Sequence, residues 1–179
     1  MPDLARIIEN IGMNSLSNGA ESIEIQISEH LGKTNTIDII ITDNSITGQD
    51  SYSDFTYYAN DNNSRYHGLL RLNSLARECD GTCLIKPMEN RGVVISASFR
   101  ADRDECPPIG DLARMMMCLC AANPNGQVLL IRKMNDRLYK YDTTDLRNRL
   151  QKISLSDPKD IMRIRSEMNE MENDIWMSH

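Results

Sequence analysis

The sequence predicts an α/β protein, an α+β two-layer sandwich built on a mixed sheet and followed by a small C-terminal α-β-β-α-α unit. Three observations predict it. Leu4, Ile7, Ile8 and Ile11 recur at helical spacing and open the chain. Ile23, Ile25, Ile27 and then Ile37, Ile39, Ile41 alternate with polar residues, the period of two that half-buried strands require. After Arg100 an acidic, proline-containing stretch at 102–108 interrupts the pattern and a new helix begins, which divides the chain into residues 1–101 and 102–179.

The elements follow in order. The first helix is expected from about residue 3 to about residue 17, where Asn18-Gly19 stops it. A strand containing Ile23, Ile25 and Ile27 and a second at 36–43 form a hairpin whose turn contains Gly32. From 44 to 65 the chain is polar, has no apolar period of either kind, and centres on Asn60-Asp61-Asn62-Asn63-Ser64. A loop that long inside a compact domain is functional or disordered. A helix at 68–79 carries Leu69, Leu72, Leu75, Ala76 and Cys79 on one side and ends at Asp80-Gly81. Strands at 82–86 and 92–99 flank the turn Pro87-Met88-Glu89-Asn90, with Val93, Ile95, Ala97 and Phe99 on one face.

In the second part, Leu112, Met115, Met116, Leu119 and Cys120 mark a helix that Asn123-Pro124-Asn125-Gly126 terminates. Segments 128–132 and 137–141 read as a hairpin around Asn135-Asp136, and a short helix holding Leu146 and Leu150 follows. Asp157-Pro158 opens the last helix, with proline suited to its first turn. There Ile161, Ile164, Met168, Met171 and Ile175 form a narrow seam that packs on the hairpin or on another chain.

Composition removes several function classes. The 179 residues carry 20 Lys and Arg against 26 Asp and Glu, a net charge of −6 with the basic residues scattered, so a positive nucleic-acid groove is not expected. Apolar runs are too short to cross a bilayer, and no secretory signal is visible after Met1. The five cysteines are odd in number and none forms C-x-x-C, which argues against a disulfide framework or a zinc site. A cytoplasmic protein with reduced thiols is the expectation, and Cys106, beside Pro107, is its most exposed thiol.

Two features of the first part could carry chemistry. Asn10 and Asn14 lie four residues apart, stacked on one helix face beside Ile7 and Ile11. A carboxamide there needs hydrogen-bond partners or costs about 1–3 kcal/mol. Those partners are either backbone groups of the neighbouring loop or a ligand phosphate and its Mg2+. Asp43 continues the Ile37, Ile39, Ile41 side of its strand and so points a carboxylate inward, where it needs a donor. It either bonds the backbone of the turn that follows or accepts from the exocyclic amino group of a purine.

The order Asn14-Ser15-Leu16-Ser17-Asn18-Gly19-Ala20, Ile23-Glu24-Ile25, Ile39 to Asp43-Asn44, Phe55-Thr56, Gly68-Leu69-Leu70 and Gly92-Val93-Val94 is similar to the Bergerat ATP-binding fold of the histidine kinase, gyrase, Hsp90 and MutL superfamily, the histidine-kinase-like ATPases. The likeness spans about residues 4 to 100. It implies that Asn14 coordinates Mg2+, that Asp43 binds the adenine amino group, and that the segment from Phe55 to Gly68 closes over the phosphates. The implied nucleotide site for ATP or ADP comprises Asn10, Asn14, Asp43, Gly48, Phe55, Thr56, Gly68 and Leu69. A narrower resemblance, to small ATPase-domain proteins encoded beside iron-only hydrogenases, adds Pro108-Ile109-Gly110-Asp111-Leu112 and Asp142-Thr143-Thr144-Asp145-Leu146 and extends the match to nearly the whole chain.

The chain also departs from the family pattern. Ser45 and Thr47 replace both glycines of D-x-G-x-G, with only Gly48 displaced nearby, and Tyr66-His67-Gly68 replaces G-x-G. Val93 stands where relatives use a threonine on adenine. Side chains at those glycine positions obstruct or reshape the pocket. The general-base position of the ATPase branches is Asn10, which cannot accept a proton. The reading is therefore a regulatory or accessory Mg-nucleotide-binding protein without efficient hydrolysis, acting on a protein partner. Its alternative is a nucleotide-free interaction module that keeps the fold.

Overall fold

The computed structural model describes residues 3–46, 66–150 and 157–177. Helix α1 (Leu4–Ser17) starts at Asp3, whose carboxylate accepts from the Arg6 amide at 2.8 Å. Its Leu4 and Ala5 amides donate to the Pro108 and Ile109 carbonyls at 3.1 and 2.7 Å, so the loop before the third helix satisfies two first-turn donors. Strands β1 (Ser22–His30) and β2 (Thr36–Asp43) follow. After the long polar segment come α2 (His67–Glu78), β3 (Thr82–Pro87) and β4 (Val93–Arg100). The remainder is α3 (Leu112–Ala122), β5 (Gln127–Met134), β6 (Arg137–Asp142), α4 (Thr143–Leu150) and α5 (Pro158–Trp176).

The six strands form one mixed sheet in the order β3-β4-β2-β1-β5-β6. Neighbours pair antiparallel except β1 and β5, which run parallel with Ile25 opposite Leu130. The sheet thus crosses the boundary expected near residue 102: the second part contributes its hairpin to the sheet of the first. A parallel neighbour for β1 needs a long crossover, which β2 through α3 supplies.

One face of the sheet is mostly apolar, with Glu29, Asp43 and Arg132 as its buried charged members. Ile23, Ile25, Ile27, Ile37, Ile39, Ile41, Ile95, Phe99, Val128 and Leu130 are buried in one cluster with Leu4, Ile8, Leu72, Leu75, Met115 and Leu119 of the helices. The alternate strand residues are mostly partly exposed, which is the two-layer arrangement. In α5 the seam resolves into Ile164, Met168 and Ile175 as its buried members, and the helix packs against α3 and β6 of its own chain. Leu150 ends α4 as expected, but its side chain lies outside the described residues.

No helix among the described residues is long and apolar enough to cross a membrane.

Candidate functional site

The asparagine face of α1, the end of β2, the start of α2, the start of β4 and Ile85 of β3 meet at one small cavity. Asn14, Asn18, Asp43, Ser45, Tyr66 and Leu69 are among its lining, closed below by Ile11, Val93 and Ile95. Asp43 comes there because it is the last inward residue of β2, paired across the ladders with Ile23 and Val93. Asn14 comes there because it stands one turn beyond Asn10 on the side of α1 that faces α2.

Close approach of those two helices depends on Gly68. A Cβ there would sit 3.0 Å from the Asn10 Cβ and 3.1 Å from the Ile11 nitrogen, so glycine lets the first turn of α2 abut α1. The first turn of α2 has no side-chain cap from Tyr66, which precedes it. Leu69 is buried against the cavity, whereas Asn10, expected in the site, is exposed and does not line it: one turn before Asn14, it lies against Gly68 instead.

Asp43 is 4% exposed and its carboxylate is held on both oxygens. Ser15 Oγ donates to Oδ2 at 2.5 Å, and the Ser45 amide and hydroxyl donate to Oδ1 at 2.9 and 2.7 Å. The amide contact is the turn that a strand-end aspartate makes with the residue two positions on. Asn14 has the opposite character. Its Oδ1 is buried and has no hydrogen-bond partner, the one such side-chain atom among the described residues. Leaving that acceptor unmet costs about 1–3 kcal/mol, which a cation or a donor entering the cavity would recover.

The cavity is narrow, with a volume of ≈ 30 Å³. That is room for about two water molecules, since one needs roughly 10–15 Å³ on the same measure. Asn14 offers one uncharged oxygen of the kind hard cations accept, and a purine is larger than the cavity. The ring of Tyr66 and the hydroxyl of Ser45 occupy this space where the resemblance has glycines.

Other expected participants stand elsewhere. Glu9, next to the asparagine at the general-base position, is buried between α1 and α3, paired with Arg6 at 3.4 Å and Arg114 at 3.0 Å. His30 pairs with Asp38 at 3.2 Å on the partly exposed face of the sheet, and His67 is exposed at the start of α2. Cys106 and Cys118 are half-buried while the other three thiols are buried, so the thiol expected to be most exposed shares that standing with Cys118 and packs in part against the core. Burial raises the Cys120 thiol to about 12, in keeping with a core role. Gly48, Phe55, Thr56 and the segment between Phe55 and Gly68, as well as His179, lie outside the described residues.

Ser15 is the site residue that sequence reasoning missed. Its signal was available: it follows Asn14 and lies four residues beyond Ile11, on the buried side of α1. Among the described residues, no group of three or more His, Cys, Asp and Glu side chains is disposed to hold a metal ion. No protein-family model and no curated protein sequence matches the chain.

Proposed function

We propose that the chain is a regulatory or accessory protein of the histidine-kinase-like ATPase superfamily, which binds an adenine nucleotide with Mg2+ between α1, β2, α2 and β4. The observation that carries this reading is the orphaned Asn14 Oδ1 lining the same cavity as the inward carboxylate of Asp43. Two residues 29 positions apart, singled out for one ligand, converge on one space. The order of helix, hairpin, long segment, helix and hairpin supports the same fold assignment.

Within that reading Asn14 holds the nucleotide's magnesium, which supplies charge neutralisation at the phosphates, and Asp43 accepts from the adenine amino group. Each Asp43 oxygen retains lone-pair capacity beyond the serine contacts, because an ionised carboxylate accepts about four hydrogen bonds. Binding displaces Tyr66 and Leu69, and since both belong to the start of α2, nucleotide binding is coupled to the position of that helix. Turnover is not part of the proposal. Asn10 is no proton acceptor, and Glu9 is committed to Arg6 and Arg114.

The second reading, a nucleotide-free interaction module, is favoured by the small cavity and by Tyr66 and Ser45 within it. Thermal unfolding with Mg-ATP, Mg-ADP and Mg-GTP separates the two. A ligand at a hundred times its dissociation constant adds about 2.7 kcal/mol, or about 5–10 °C for a chain of this size. The expected result is a shift with adenine nucleotides that Asp43→Ala abolishes. The variant Tyr66→Ala, which removes the ring from the cavity, is expected to enlarge the shift. No shift in the wild type or in Tyr66→Ala at millimolar nucleotide removes the first reading and leaves the second.

A further inference from the structure

Cys79 follows α2 directly as its C-cap, and Cys106 lies in the loop between β4 and α3. Two contacts fold that loop onto the end of α2, and a third tightens the loop itself. The Arg100 amide donates to the Cys79 carbonyl at 2.9 Å, the Arg103 guanidinium pairs with the Asp80 carboxylate, and the Cys106 amide donates to the Arg103 carbonyl at 3.0 Å. The two cysteines become neighbours as a result, close enough that each affects the other's titration. The Cys106 S–H donates to the Pro107 carbonyl, 3.6 Å from its sulfur. Cys79 is fully buried and Cys106 half-buried, so a reagent reaches the pair through Cys106. Of the remaining thiols, Cys83 and Cys120 are buried and Cys118 is half-buried.

We propose that Cys79 and Cys106 are an oxidisable pair that forms a reversible disulfide by exchange with a low-molecular-weight disulfide of the glutathione type. In the first step the Cys106 thiol loses its proton to solvent and attacks one sulfur of the oxidant. The oxidant's S–S bond breaks and one equivalent of small thiol leaves after taking up a proton. In the second step the Cys79 thiolate attacks the Cys106 sulfur and expels the second equivalent. The two protein thiols are oxidised by two electrons and the small disulfide is reduced to two thiols.

The link would join elements that wall the candidate site. The loop bearing Cys106 continues into Pro108 and Ile109, whose carbonyls hold the first turn of α1, while Cys79 caps α2. Oxidation therefore ties α2 to the strap of α1 and restrains the two helices against each other. This holds whether or not a nucleotide binds between them.

Reaction is slow at neutral pH. Burial first, then the neighbouring Cys79 and Glu29, push the Cys106 thiol up to about 11. Burial also raises Cys79, with Glu105 and Glu78 adding to it and Arg103 opposing it. Below that range the thiolate fraction, and with it the rate, rises about tenfold per pH unit.

The test is incubation of the full chain with oxidised glutathione at two pH values one unit apart, followed by non-reducing peptide mapping and mass spectrometry. The expected product is a single Cys79–Cys106 cross-link, about 2 Da lighter than the starting protein, reversed by dithiothreitol. It forms about tenfold faster at the higher pH, is abolished by Cys106→Ser and is retained by Cys118→Ser. A glutathione adduct on Cys106 that is never displaced overturns the proposal. So do cross-links spread over several cysteines. Mapping is done on the wild type, so the result stands even where Cys79→Ala does not fold.

Discussion

Replacing Glu29 by alanine is expected to destabilise the protein by about 3–5 kcal/mol, because it strands a buried cation. Arg132 is 0% exposed and lies in the interior of the sheet beside β1. Its guanidinium pairs with the Glu29 carboxylate, bonds Glu172 of α5 at 3.2 Å and donates to the Lys133 carbonyl at 2.9 Å. Tyr139 completes the cluster by donating to Glu172 at 2.6 Å, and burial together with that carboxylate raises its phenol well above the usual range. Glu29 is itself buried, so its loss removes the dry half of the charge balance and leaves only Glu172 on the wetter side.

Urea unfolding followed by circular dichroism reads the effect. The double variant Glu29→Leu/Arg132→Met removes both charges and is expected to recover most of the loss, since an apolar replacement of a whole buried pair is close to neutral or better. A cost below about 1 kcal/mol for Glu29→Ala would show that water reaches Arg132 and that the cluster is a surface feature.

A comparable loss, about 3–4 kcal/mol, is expected from Gly92→Ala. Gly92 has φ +94°, a conformation that costs a residue with a Cβ about 1–3 kcal/mol. An added Cβ would also lie 1.9 Å from the Asp43 carbonyl oxygen, so the backbone at the end of β2 must shift. The same substitution at Gly32 is the control. Nothing lies within 4 Å of a Cβ at Gly32, and the expected change is within about 0.5 kcal/mol. Because Gly92 presses on the residue that carries the site carboxylate, nucleotide-induced stabilisation should fall with folding stability in Gly92→Ala. Equal stability of the two glycine variants would sink the argument.

The candidate site was half legible in the sequence. Period-two alternation placed Asp43 inward on β2, and helical spacing placed Asn14 on the edge of the buried stripe of α1, both as found. The same alternation, applied to Val128, Leu130, Arg132 and Met134, sends Arg132 into the interior, a signal present in the strand and not used. The turn of Asp43 with the Ser45 amide was one of the two alternatives read for it. What could not be read was that Ser15 reaches the same carboxylate from α1, and that no described residue reaches Asn14 Oδ1.

The sequence by itself determined the elements and their inner faces. Periodicity, caps such as Asp3, Asp111 and Asp157, and the turns at Gly19 and Asn135 are all encoded within a few residues. Only the tertiary structure decided that β5 lies parallel to β1, so that the strands of both parts share one sheet, and that the loop bearing Cys106 folds back onto the end of α2. The physical reason is range. Which free strand edge a hairpin joins, and which loop a helix end meets, depend on the burial and hydrogen bonding of surfaces far apart in the chain, and local alternation is the same whichever neighbour wins.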